Sequence, residues 1–137
     1  MRITITATRS GLTPLQMKSV IRLFTELKIT KLIHGCAVGG DQQIHYLTNV
    51  PKEMHPSKES QQRWAERVLR SIDELFPIHP PIPRNHIMVN NGDCVIAAPK
   101  GKIEQLRGSG TWATIRYAKK IGKKLYICWP DGTNTAL

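Results

Sequence analysis

Apolar residues along the chain fall into short runs and helical stripes that alternate, strand then helix. Residues 2–8 put Ile3 and Ile5 on one parity and end at the polar Thr8-Arg9-Ser10-Gly11, which predicts a first strand delivering a polar loop. Thr13-Pro14-Leu15-Gln16 has the form of a capping box with proline at the first helical position. Met17, Val20, Ile21, Phe24 and Leu27 follow at helical spacing. The apolar run 31–35 predicts a second strand, buried and parallel. It opens into His34-Gly35-Cys36-Ala37-Val38-Gly39-Gly40-Asp41, a glycine-rich turn with Asp41 placed to cap a helix through Leu47. A short third strand is read at 52–55, although its residues are polar.

Residues 57–75 read as one helix with Trp64, Val68 and Ile72 as its inner stripe. Arg63, Arg67 and Arg70 recur beside that stripe, as a solvated face or an interaction face. The proline-rich stretch 76–83 is expected to be an extended connection, and residues 84–88 a short helix. Residues 93–99 are the clearest buried strand. A polar loop, 100–106, then leads to Arg107-Gly108-Ser109-Gly110-Thr111, which opens a helix over 111–121 that buries Trp112, Ile115, Ala118 and Ile121. Gly122 stops that helix, 124–129 form the last strand, Pro130-Asp131-Gly132 make a turn, and the tail is expected to be loose.

Four clear strands and one polar one, separated by helices, predict an α/β fold. The expected form is a Rossmann-like three-layer sandwich with a mostly parallel sheet of four to five strands in the order 3-2-1-4-5. A length of 137 residues suits a single domain. Loops that each follow a strand and precede a helix share the carboxyl edge of such a sheet, where open α/β sheets bind ligands. The chemistry of the 108–111 turn agrees, because unpaired N–H groups and the helix dipole at a helix start favour an anion.

Charge sharpens this picture. Twenty basic residues against ten acidic ones give a formal charge of +10, which favours polyanions or small phosphorylated ligands. No apolar run approaches the roughly 20 residues that span a bilayer, and the amino-terminal residues alternate like a strand rather than reading as a signal peptide. A cytoplasmic protein without membrane contact is therefore expected. Three scattered cysteines, Cys36, Cys94 and Cys128, do not suggest a disulfide framework. Neither they nor the five histidines have metal-ligand spacing, so no metal and no cofactor is implied.

Taken together, TATRSG after the first strand, HGCAVGGD after the second, PRNHIM before the strand DCVIAAP, and RGSGTWATIRYAKKIGKKLYICWPDG resemble the SLOG superfamily. That group includes the DNA-processing protein DprA, the Lonely-Guy phosphoribohydrolases, and sensor domains of bacterial antiviral effectors. The resemblance covers nearly the whole chain, in order, and implies a Rossmann-like sandwich that binds nucleotides or nucleotide-derived ligands. It implies ligand contacts at Thr8 and Arg9, at Gly35 and Gly39, at Arg84 and Asn85, and at Gly108, Ser109, Gly110 and Thr111, with Trp112 as a candidate for stacking on a base. The Lonely-Guy hydrolases pair an arginine, matched here by Arg84, with a glutamate whose position is held by Thr114. A carboxylate stabilises the oxocarbenium-like state of glycosidic cleavage, so its loss turns the expectation away from catalysis.

The leading expectation is thus a stand-alone binding protein for a nucleotide-derived small molecule. It would sense or sequester its ligand, and the company the family keeps suggests a cyclic or ADP-ribose-type signal in antiviral signalling or counter-defence. The alternatives are a hydrolase of the N-glycosidic bond of nucleoside monophosphates, with Asp41 or Asp93 as substitute carboxylates, and a single-stranded nucleic-acid binder. The last lacks an evident stacking platform, with 6% aromatic residues. Pairing through helices is common in the family and implies a homo-oligomer.

Overall fold

A computed structural model describes residues 1–137. The strands are β1 (Arg2–Ala7), β2 (Lys31–His34), β3 (Lys52–Met54), β4 (Glu74–Leu75), β5 (Cys94–Ala98), β6 (Lys124–Cys128) and β7 (Asn134–Ala136). The helices are α1 (Pro14–Glu26), α2 (Gly40–His45), α3 (Glu59–Val68), α4 (Pro81–Asn91) and α5 (Gly110–Lys120). All strands join one sheet in the order β4-β3-β2-β1-β5-β6-β7, parallel except for β7. The central five are the predicted strands in their predicted order, and the chain adds one further strand at each edge.

Alternation along β5 explains the layering. Cys94, Ile96 and Ala98 face a core shared with Ile3, Ile5 and Leu32 and with Val20, Leu23 and Phe24 of α1 and Ile44 of α2. Val95 and Ala97 face the other way, onto Val89 of α4 and Trp112, Ile115 and Ala118 of α5. Two-sided burial is why β5 reads as a continuous apolar run. The predicted capping box forms: Thr13 Oγ1 accepts from Gln16 N at 3.1 Å, and Gln16 Oε1 accepts from Thr13 N at 3.3 Å. Gln16 is fully buried, and its Nε2 donates to the carbonyls of Pro99 and Cys128 at 2.9 and 2.8 Å. The start of α1 is thereby tied to the ends of β5 and β6.

Several expectations are overturned. The helix expected over 57–75 ends at Val68, because Asp73 gathers the following turn instead. Its carboxylate accepts from Arg70 N, Arg70 Nε and Lys52 N, while Arg70 also donates to the carbonyls of Asn49 and Val50. Arg70 is therefore a strut, and Ile72 is 54% exposed rather than an inner residue. β4 then pairs with β3. The extended stretch expected to reach residue 83 stops at Pro80, and Pro81 and Pro83 sit in the first turn of α4, where a missing N–H removes no intrahelical bond. Ile121 lies just past α5 and is 43% exposed. The tail is not loose: Asn134–Ala136 pairs antiparallel with β6 through a turn that Asp131 braces by accepting from Thr133 N and Oγ1.

Candidate functional site

Three loops meet at the carboxyl edge around a cavity of about 280 Å³. β1 and the loop after it bring Thr6, Ala7, Thr8, Arg9 and Ser10, and the turn after β2 with the start of α2 brings Gly35, Ala37 and Asp41. The segment after β5 brings Lys100, Gln105, Gly108, Ser109, Gly110 and Thr111, α4 adds Arg84, Asn85 and Met88, and α3 adds Gln61. Three cationic side chains, Arg9, Arg84 and Lys100, thus face one carboxylate, Asp41. Nine of the eleven residues singled out in the sequence line this one hollow.

The first loop is a hydroxyl turn. Thr8 Oγ1 lies 2.9 Å from Ser10 Oγ and accepts from Ser10 N, while the Thr8 carbonyl accepts from Gly11 N and Gly40 N. The Arg9 side chain is exposed at the rim. On the third loop, Ser109 caps α5 by accepting from Trp112 N at 3.2 Å. The N–H groups of Gly110 and Thr111 precede the first intrahelical donors and line the cavity, with the dipole's positive end behind them.

Gly39 does not line the cavity. Its φ is +89°, and a Cβ there would stand 2.1 Å from the Arg9 carbonyl oxygen, so its task is to let the second loop press against the first. Trp112 does not line it either. It is buried beneath α5, with its ring 6.2 Å from that of Trp129, as a core residue. Thr114, at the position of the family glutamate, is also buried and donates from Oγ1 to the Gly110 carbonyl at 2.9 Å.

Arg84 is more constrained than a simple phosphate-binding arginine. Nη1 donates to the Gly35 carbonyl at 2.7 Å and the His55 carbonyl at 3.0 Å, and Nε donates to Asn85 Oδ1 at 2.8 Å. Only Nη2 is left for a ligand. Burial lowers its pKa, with the nearby Asp41 charge acting in the opposite direction.

Asp41 is the residue that sequence reasoning misplaced. The residue before α2 is Gly39, with no side-chain cap, and the Asp41 carboxylate turns back toward the end of β2. Its Oδ2 accepts from Gly35 N at 3.0 Å and Ala37 N at 3.4 Å. Burial pushes its pKa up to about 6, against the opposing pull of Arg84 and the surrounding N–H groups. Lys100, Gln61 and Gln105 were also unmarked in the sequence, where nothing in a polar loop or a helix face distinguishes a cavity residue from a solvated one. Asp93 lies elsewhere: its Oδ2 accepts from Arg2 N at 2.8 Å, at the opposite edge of the sheet.

Behind the second loop, His34 Nδ1 accepts from Cys36 N at 3.0 Å, which leaves the proton on Nε2 to be donated to His45 Nδ1 at 2.9 Å. Burial holds both imidazoles neutral, His45 down to about 4 and His34 well below its ordinary value. Burial also raises the Cys36 thiol to about 12, so it is no nucleophile. No helix is long and apolar enough to cross a membrane. In comparison with known proteins, no family model and no curated protein matches this chain.

Proposed function

We propose that this is a binding protein of the SLOG type for a nucleotide or nucleotide-derived small molecule, which it senses or sequesters. The observation that carries this reading is the convergence of Arg9, Lys100, the free face of Arg84 and the start of α5 on one cavity at the carboxyl edge. Guanidinium, ammonium and backbone N–H groups together suit a phosphate, by charge-assisted hydrogen bonds and by dipole. The small cavity suits a compact ligand rather than a polymer. A panel of mono-, di-, cyclic and ADP-ribosyl nucleotides tests it by thermal shift. A ligand at a hundred times its Kd adds about 2.7 kcal/mol, and hence several degrees in Tm. Absence of any shift across the panel overturns the reading, and mass spectrometry of small molecules retained through purification would name the ligand directly.

One observation favours a second reading, hydrolysis of an N-glycosidic bond. Asp41 places a carboxylate whose pKa burial raises to about 6 in the cavity, where Thr114 supplies none. Release of free base from nucleoside monophosphates, abolished in Asp41→Asn, is its test.

A further inference from the structure

The corner where α5 hands over to β6 carries Lys119, Lys120, Lys123 and Lys124. Lys119, Lys123 and Lys124 border one hollow of about 330 Å³ with Gly122, Leu125 and Leu137. Lys124 pairs in register with Cys94 at the start of β5, so the corner lies at the amino edge of the sheet, opposite the cavity. Elsewhere exposed cations are matched by carboxylates, as in Lys31 with Glu74, Arg70 with Asp73 and Lys102 with Asp131. None of these four lysines makes an ion pair. The chain has no acidic residue between Glu104 and Asp131, and Asp93, just ahead of β5, gives its Oδ2 to Arg2 N.

Local structure accounts for only part of this charge. The dipole at the end of α5 favours cations in its last turn, which suits Lys119 and Lys120, and Lys123 Nζ donates to the Gly92 carbonyl at 2.8 Å. Neither explains why like charges crowd together without a counter-charge, an arrangement that costs stability by self-repulsion. A negatively charged partner relieves it.

The side chains among the lysines decide which partner. Ile121 stands 43% exposed within the run, and Leu137 51% at the hollow. Nucleic acid favours arginine forks and free aromatic rings, and exposed aliphatic side chains add nothing to its binding. The run 119–124 holds no arginine, and Lys124 Nζ sits over the ring of Tyr126, 5.2 Å from its centroid. Ammonium groups around an apolar residue instead match an anionic bilayer, which attracts the charge and takes the aliphatic side chain into its headgroup layer. We propose that residues 119–124 are a docking surface for an anionic lipid bilayer, on which the protein lies with its cavity left open at the opposite edge. The expectation of no membrane contact rests on the lack of a spanning run, which a surface contact does not need.

Co-sedimentation of the full chain with vesicles at about 0.1 M salt, where charges act over roughly 10 Å, tests this. Each lysine near an anionic surface is worth roughly fivefold in affinity. The wild-type chain is therefore expected to bind vesicles of phosphatidylcholine and phosphatidylserine, mixed about three to one, at least tenfold more tightly than vesicles of phosphatidylcholine alone. In Lys119→Gln/Lys120→Gln/Lys124→Gln that ratio falls below threefold. Lys58→Gln/Arg63→Gln/Arg67→Gln removes the same charge from exposed positions on and before α3, and leaves the ratio within twofold of wild type. A smaller wild-type ratio overturns the proposal. An equal fall in the two variants also overturns it, because net charge alone then drives adsorption. Tighter binding to a mixed-sequence single-stranded oligonucleotide at the same salt overturns it in favour of nucleic acid. If the first variant does not fold, acetylation of the wild-type chain decides: anionic vesicles slow it at least fivefold at Lys119, Lys120 and Lys124 but not at Lys58, and equal slowing at Lys58 overturns the proposal.

Discussion

Arg84 and Asp41 both rest against the bare face of Gly35. A Cβ there would lie 2.6 Å from Arg84 Nη1 and 3.2 Å from Asp41 Oδ2. The absence of one side chain thus lets a buried cation and a buried anion share the end of β2. Gly35→Ala is expected to push the guanidinium off its two carbonyls and to cost about 1–3 kcal/mol, the usual penalty of overpacking. Urea denaturation reads that loss, and ligand titration should show weakened binding. An unchanged midpoint would mean that Arg84 shifts freely.

The three cavity cations should separate cleanly under mutation. Arg9 and Lys100 are exposed and have no partner that holds the fold, so Arg9→Ala and Lys100→Ala are expected to stay within about 0.5 kcal/mol of wild-type stability. Each should nonetheless weaken a phosphorylated ligand by about tenfold to a hundredfold, the worth of a charge-assisted hydrogen bond. Arg84→Ala should lose binding and stability together, because the carbonyls of Gly35 and His55 lose their donor. Measuring Tm and Kd for the three variants side by side checks the division.

Titration of Asp41 makes stability fall as pH rises. Its pKa is raised from 3.8 to about 6 in the folded protein, so between those values the folded state holds more proton than the unfolded one. The linkage slope is then negative, and ionisation costs up to roughly 3 kcal/mol by pH 8. His34 and His45 act oppositely. Their depressed values mean that stability present above pH 6.5 is lost as pH falls and the unfolded imidazoles take up protons, down to about pH 4 for His45. The difference between Asp41→Asn and wild type isolates the carboxylate: the variant's relative stability should grow from pH 4 to pH 7 in denaturant titrations. A flat difference would show that Asp41 titrates normally.

Gln16→Leu should be among the most damaging substitutions outside the cavity. The shorter apolar side chain stays buried but leaves the carbonyls of Pro99 and Cys128 without their donor, and Thr13 N without Oε1. The expected cost is about 2–4 kcal/mol, from unpaired groups in a buried position. Denaturant unfolding measures it.

The buried part of the fold was open to reading from the sequence because burial on both faces writes itself as apolar runs, as in Val95, Ile96, Ala97 and Ala98. The edges were not. β4 has two residues and β7 three, both substantially exposed, so neither has a periodicity to detect. The proline run hid the start of α4 because proline disfavours a helix interior but not its first turn. At the site, the glycine turns gave the location and not the division of labour. An aspartate just ahead of a helix looks like a cap, and only the path of the backbone reveals that Asp41 faces the other way. Trp112 likewise carries a ring suited to stacking, and which side of α5 it occupies is decided by packing against Val95, Ala97 and Trp129 rather than by the motif around it.

The way Gly39 and Gly40 lie against the first loop makes the cavity's rim uneven in how firmly it is built. Gly40 N donates to the Thr8 carbonyl at 2.9 Å, and Gly39 abuts Arg9, so those two loops are braced against each other. The loop between the ends anchored at Pro99 and Ser109 is held by Arg116, which bonds Glu104 and the Gln105 carbonyl, and by the exposed pair Lys102 with Asp131, and such surface contacts contribute little in water. The rim of the cavity is therefore firmly built where the first two loops meet and lightly built on the side of the exposed Ile103 and Leu106.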